Sequence, residues 1–238
     1  MKAYNFLKFL ETEADRKIPF LYKLKHSPEL ITKDDLIIEG NLELRTEEIH
    51  SLPEGLRIKG NLDLAYTLIG ELPEDLEVGG HIDLSYTNIG HLPENLKINK
   101  GLNLTSAPIK FLPESLKEVD DLYLASSRIK ALPDGLKKVK GKLVLTYTFI
   151  SKIPNNLYVG GDVWMDRTAI RRLPDNLKVM GNFRIRNASL SEVPKGLKVE
   201  GSLSLYNTPL AKEYKTEENL RKAIESNGGY VKGVIYTS

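Results

Sequence analysis

The sequence contains no cysteine, a single tryptophan, four histidines and no long apolar run. Without cysteine the chain has no disulfides, no thiolate zinc site and no cysteine nucleophile. No segment approaches the ~20 consecutive apolar residues that a membrane-spanning helix needs. Net charge is also nearly missing: 34 Lys and Arg against 32 Asp and Glu leave +2, too little for bulk attraction to nucleic acid. His26, His50, His81 and His91 fall in no metalloprotease or catalytic-triad context, and neither a GxxxxGK[ST] nor a GxGxxG phosphate loop occurs. At the N-terminus, Lys8, Glu11 and Glu13 interrupt any signal-peptide core. The expectation is a soluble, cytoplasmic protein, not an enzyme, with no cofactor, no metal and no membrane contact.

What the chain does have is a period. An aliphatic-Pro pair recurs at Leu52-Pro53, Leu72-Pro73, Leu92-Pro93, Leu112-Pro113, Leu132-Pro133, Ile153-Pro154, Leu173-Pro174 and Val193-Pro194. The spacing is 20 residues, with one step of 21 whose extra residue falls near Lys137-Lys138. A degenerate first unit without the proline begins near Ile31, giving nine units over residues 31–212. Eight of the 12 prolines and seven of the 18 glycines occupy fixed positions of this repeat. Numbered from the residue before proline, position 5 is always Leu, positions 11 and 13 are always apolar, and position 18 is Ile or Leu.

Apolar residues at so short a fixed period cannot come from long packed helices. They require short coils that stack and bury their apolar positions between neighbours. Polar residues at positions 10, 12 and 14 alternate with the apolar pair at 11 and 13, the pattern of a half-buried strand. Proline at position 2 lies outside the main sheet, because it cannot donate to a ladder. Glycine at position 9 suggests a tight bend or a positive φ. It is displaced to Gly101 in one unit and replaced by Asp120 in the next. Thr or Ser dominates position 16, where a stacked hydroxyl is expected to bridge adjacent coils.

The string LxLxxTxIxxLPxxL resembles a leucine-rich repeat with Thr where that family usually carries Asn. Its short unit and LPxxL segment are similar to bacterial effector repeats and to repeat proteins carried by bacteriophages. The resemblance covers about three quarters of the chain. It implies a β-rich solenoid of about nine 20-residue coils acting as a protein-binding scaffold, and an effector or phage-encoded inhibitor of a host defence protein that works in the host cytoplasm. Some effectors of this type carry a ubiquitin-ligase domain that works through a cysteine; this chain lacks both the cysteine and the room. The LxVxGxLxL segment departs from the usual LxxLxL and suggests a second short strand before the main one. LPExL is too short for a helix on the outer side.

Repeat stacks need capped ends. Residues 1–30 read as a helical N-terminal cap, 31–212 as the solenoid and 213–238 as a C-terminal cap, all within one cooperative domain. In the C-terminal cap Thr216 starts a helix that ends near Asn227, and Tyr230 to Thr237 follow as a strand. Acidic position 3 and basic position 6 are expected to cross-pair on the outer surface.

The outward rows of the main strand form the candidate binding face. Position 12 reads Glu43, Asp63, Asp83, Asn103, Tyr123, Val144, Trp164, Arg184, Ser204, and position 14 includes Arg186 and Tyr206. Position 15 adds Tyr147 and Arg167 on the rim. The face thus runs from acidic through aromatic to basic. Exposed Trp, Tyr and Arg are the residue types enriched at interface hot spots. Glu43, Asp63 and Asp83 form a carboxylate stripe, read as a surface for a basic partner rather than a cation site because no further ligands accompany it. The expected partner is a protein. The alternatives are single-stranded nucleic acid bound by the aromatic and basic C-terminal half, and a structural part of a virion.

Overall fold

The computed structural model describes residues 18–237; the segment read as a helix over residues 3–15 lies outside them. Each coil contributes two short strands. The main strands, from Leu42–Glu43 through Leu62–Asp63 and onward to Ile235–Tyr236, form one ten-stranded parallel sheet in sequence order. The ladder is regular: Leu62 N–H donates to the His81 carbonyl, Leu64 to Asp83 and Tyr66 to Ser85, each at 2.9 Å. The expected second strands are present as well. They begin at Ile37–Ile38 and Arg57–Ile58 and pair in two further parallel sheets, of four and six strands. The architecture is a leucine-rich-repeat-like parallel solenoid with a single apolar core running from Leu42 to Ile235. Positions 11 and 13 face that core from one side and position 7 from the other, as Leu62, Leu64 and Ile58 show.

The second sheet is interrupted between Lys97–Ile98 and Glu118–Val119, for a countable reason. Four steps separate Ile58 from Leu62, Val78 from Ile82 and Ile98 from Leu102, but only three separate Val119 from Leu122. A one-residue slip turns every side chain to the opposite face. Ile98 and Val119 therefore cannot pair while both point inward. The next coil restores the four-step spacing and carries the extra residue, pairing Lys138 with Glu118 and Val139 with Val119.

Glycine at position 9 lies in a bend, as expected, but the left-handed conformation is not the reason for it. None of these glycines has a positive φ. Instead the coils touch there: a Cβ on Gly60, Gly80, Gly161, Gly181 or Gly201 would lie 2.6 to 2.8 Å from the carbonyl group of the preceding coil's glycine. The left-handed residue is at position 15, which has φ of 54 to 62° in all nine coils although no glycine fills it. That conformation folds the chain back so that position 16 closes a turn on its own coil. The hydroxyls of Thr67, Thr87, Thr148, Thr168 and Thr208 donate to the carbonyls three residues earlier at 2.6 to 2.9 Å, rather than bridging neighbouring coils. The bridging role belongs to position 10. Asn41 and Asn61 Oδ1 accept the N–H of the next coil's position 10, as do Asp162 and Asn182 Oδ1 and, through Nδ1, His81.

At the N-terminal side, helix α1 (Phe20–His26) lays Phe20, Leu21 and Leu24 against the core. Its buried Lys23 reaches Asp35 at 3.0 Å. At the other end Thr208 also caps α2 (Pro209–Tyr214), an element the repeat pattern does not announce. Thr216 caps α3 (Glu217–Ser226) as expected. The segment after α3 forms two short strands, Tyr230–Val231 and Ile235–Tyr236, which extend both sheets by one coil beyond Lys198 and Leu203. Among the described residues the expected pairing between positions 3 and 6 is not found. Arg57 pairs with Glu77 of the next coil, whereas Asp134 and Asp175 pair with position 20: Lys152 at the end of the coil that Asp134 opens, and Arg172 three residues before Asp175.

Candidate functional site

The outward positions of the ten-stranded sheet lie in register, so side chains from different coils meet across it. Trp164 sits between Val144 and Arg184. It is half-buried, because Arg184 lies over its ring at 4.6 Å and Lys142 approaches at 5.8 Å. The other side of Arg184 meets Asp166, with Nε 2.6 Å from Oδ2. Asp166 is 8% exposed, and Arg186 holds it twice more, by backbone N–H at 2.9 Å and by Nη2 at 3.2 Å. The arrangement fixes a guanidinium between an indole ring and a buried carboxylate, giving a cation–π contact and an ion pair on one side chain, with Arg184 Nε close to Asp166 but not aligned to donate a hydrogen bond to it.

Tyr123 lies two strands from Trp164, between Asn103 and Val144. Burial, aided by nearby Asp121, raises its hydroxyl above the usual phenol value. Tyr206 is exposed toward the far end of the sheet, and Tyr236 on the added last strand extends the row beyond Ser204. Tyr147 and Arg167 sit together on the rim, with the guanidinium 5.1 Å from the ring centre.

The N-terminal stretch of the same face differs from a row of free carboxylates. Arg45 spans two coils, contacting Asp63 at 2.9 Å and Asp83 at 3.3 Å, and its pKa is raised first by the hydrogen bond to Asp63. Asp63 Oδ1 also accepts from the N–H of Ala65, and Asp83 Oδ1 from the N–H and hydroxyl of Ser85. Glu43 stays exposed. Among the described residues no group of three or more His, Asp or Glu side chains is placed to hold a metal ion. No helix among them is long and apolar enough to cross a membrane.

The repeat places Asp166 on this face but not its pairing with Arg184, and it marks neither Lys142 nor Tyr236. Asp166 was visible as position 14 between two arginines of the next coil. Lys142 follows the inserted residue and Tyr236 lies past the last repeat, so the period did not mark either.

No protein-family model matches the chain, and no curated protein matches it. Among solved structures, one that aligns is described as "Structure of Shigella effector LRR domain". It is 17% identical, covers 98% of this chain and 96% of its own, and superposes with a TM-score of 0.44. The parallel-solenoid fold of this chain stands on its own coil geometry.

Proposed function

We propose that the protein is a non-enzymatic interaction module that binds a partner protein through the C-terminal half of its ten-stranded sheet. The observation that carries this reading is Arg184, held between the Trp164 ring and the Asp166 carboxylate. A fixed aromatic and Arg pair loses little conformational freedom on binding, and such pairs dominate interface energetics. Tyr123, Arg186 and Tyr206 extend the surface, with Tyr147 and Arg167 at its rim. At the other end, Glu43 with the Arg45-bridged Asp63 and Asp83 offers a separate polar contact. The resemblance of the LPxxL repeat to effector and phage repeats favours a host protein as partner and inhibition as the outcome.

Wild-type protein and a Trp164→Ala variant, matched in melting temperature, serve as baits in extracts of candidate host cells. A protein retained only by the wild type is then expressed, and its affinity for both forms is measured by calorimetry. The expected loss is about tenfold or more, or ~1.4 kcal/mol. Equal affinity for both forms removes this face from the proposal.

A further inference from the structure

We infer that a second recognition surface lies on the flank of the stack, where positions 15 to 20 of four coils form a cationic and aromatic patch that fits a short acidic segment of a partner protein. The patch comes from residues 106–111, 126–131, 147–152 and 167–172. These four stretches contain seven Lys and Arg and no Asp or Glu. The equivalent stretches of the first three coils, 46–51, 66–71 and 86–91, contain three Glu and no Lys or Arg. Positions 16 and 18 point into the core, so the charges stand on the outward positions.

The cations divide into two groups. Lys152 and Arg172 are neutralised by Asp134, Asp175 and Glu192. Lys110, Arg128, Lys130, Arg167 and Arg171 are exposed and form no ion pair among the described residues. Position 19 reads Lys110, Lys130, Ser151, Arg171 along the stack: Lys130 N–H donates to Lys110 O and Ser151 N–H to Lys130 O, with Ser151 standing between Lys130 and Arg171. Successive coils thus bring position 19 together at the ~4.8 Å strand spacing. A row of unpaired like charges is self-repulsive, and a bound anion relieves that repulsion.

Apolar rings lie among these charges. Phe111, Tyr147 and Phe149 are 62, 56 and 63% exposed, with Phe111 and Phe149 offering nothing to the core. Tyr147 and Arg167 also hold the left-handed conformation of position 15, with φ of 60 and 55°, where Asn or Gly is less strained. Tyr66 and Tyr86 fill the same position on earlier coils, so what distinguishes the patch is the Tyr147 ring beside the Arg167 guanidinium, which has no carboxylate partner among the described residues.

The borders set the size of the ligand. Glu192 follows the patch directly, and on the other side the uncharged stretch 86–91 separates it from Glu71. Four coils span about 14 Å, which an extended peptide crosses in about four or five residues. A continuing phosphate backbone would run onto Glu192 at one border and toward Glu71 at the other, whereas an acidic peptide run can end within them. The flank adjoins the sheet face at position 15, so one partner can reach both surfaces, but the two are separable by mutation.

The test uses the full chain and a fluorescein-labelled peptide of alternating glutamate and leucine. The same peptide with glutamine for glutamate, and an oligothymidylate, serve as comparisons. The glutamate peptide should bind more tightly than both, and less tightly as salt rises. Lys130→Glu with Arg171→Glu should weaken it about tenfold or more, Phe149→Ser should weaken it several-fold, and Trp164→Ala should leave it unchanged. If the reversed charges lower the melting temperature, Lys130→Gln with Arg171→Gln replaces them. Equal binding of the glutamine peptide, tighter binding of the oligonucleotide, retention by the charge variants, or loss with Trp164→Ala overturns the proposal. Because the sheet-face variant is read in the same assay, failure here is distinguishable from failure of the sheet-face reading.

Discussion

Tyr66 and Tyr86 stack ring on ring, with centroids 4.5 Å apart and planes 6° from parallel. Each is carried on a left-handed residue, with φ of 61 and 58°. The stack is a product of the repeat, since the same position on successive coils recurs at about the strand spacing of ~4.8 Å. A double-mutant cycle of Tyr66→Ala and Tyr86→Ala, read by urea denaturation, should give a coupling of about 0.5–1 kcal/mol. Additive losses would mean that the rings contribute separately.

The left-handed turn itself can be tested where the side chain contributes little. Ser126 is exposed with φ of 58°. Ser126→Gly should raise stability by up to ~1 kcal/mol, because relief of the left-handed strain outweighs the extra freedom of glycine in the unfolded chain. Ser126→Val should lower it by ~1 kcal/mol or more. Melting temperatures of the two variants on opposite sides of the wild type are the expected result.

Thr168 is buried and donates to the Met165 carbonyl at 2.9 Å. Thr168→Val keeps the shape and removes the hydroxyl, so the expected loss is about 1–2 kcal/mol in chemical denaturation. Thr168→Ser, which keeps the hydroxyl, should retain more stability than the valine variant.

Two glycines separate close approach from open space. A Cβ at Gly181 would lie 2.7 Å from Gly161 C, whereas one at Gly90 meets nothing within 4 Å. Gly181→Ala should cost ~2 kcal/mol or more, since backbone of the neighbouring coil must move. Gly90→Ala should be neutral or stabilising by about 0.5 kcal/mol. Comparable losses at both sites would count against coil contact as the reason for glycine at position 9.

Asp35 gives the N-terminal region a defined acid response. Burial alone would raise its carboxyl, but Thr32 N–H, the Lys23 ammonium and the Thr32 hydroxyl all donate to it and hold it below the ordinary carboxylate value. A folded-state pKa below the unfolded one means that the folded state binds fewer protons. The stabilisation is complete above about pH 4 and is lost as pH falls through the folded value. Hydrogen exchange of α1 should accelerate on acidification in the wild type, and Asp35→Asn should show the faster exchange already at neutral pH.

Much of this architecture can be read from the period. Apolar positions 11 and 13 announce the main strand, LxVxG announces the second one, and Thr216 announces α3. The sheet break is also in the sequence, once residues are counted back from Leu122 to Val119, three steps where the other coils have four. What the sequence hides depends on distance across coils. Position 9 holds glycine because two backbones meet there, and no residue of the same coil records that contact. The bridging acceptors at position 10 are Asn, Asp, His or Ser, a set with no single identity to repeat. Position 15 is left-handed without a glycine to mark it. On the binding face, the row Glu43, Asp63, Asp83 gives the charges but not Arg45 lying across two of them. Asp166 stands in the sequence beside the candidate residues, but its role as the anchor of Arg184 requires the neighbouring strand to be in place.

Glycine-to-glycine contact and the position 10 acceptors repeat with the same partners at successive junctions, as Gly60 to Gly40 and Gly80 to Gly60 show. Each junction in such a run is interchangeable with the next. The molecule can therefore gain or lose whole coils between its caps without inventing a new joint, and each such step moves the glutamate-bearing flank relative to the cationic flank by ~4.8 Å. The distance between these two surfaces is a quantised length, set by a count of repeats rather than by the identity of any one residue.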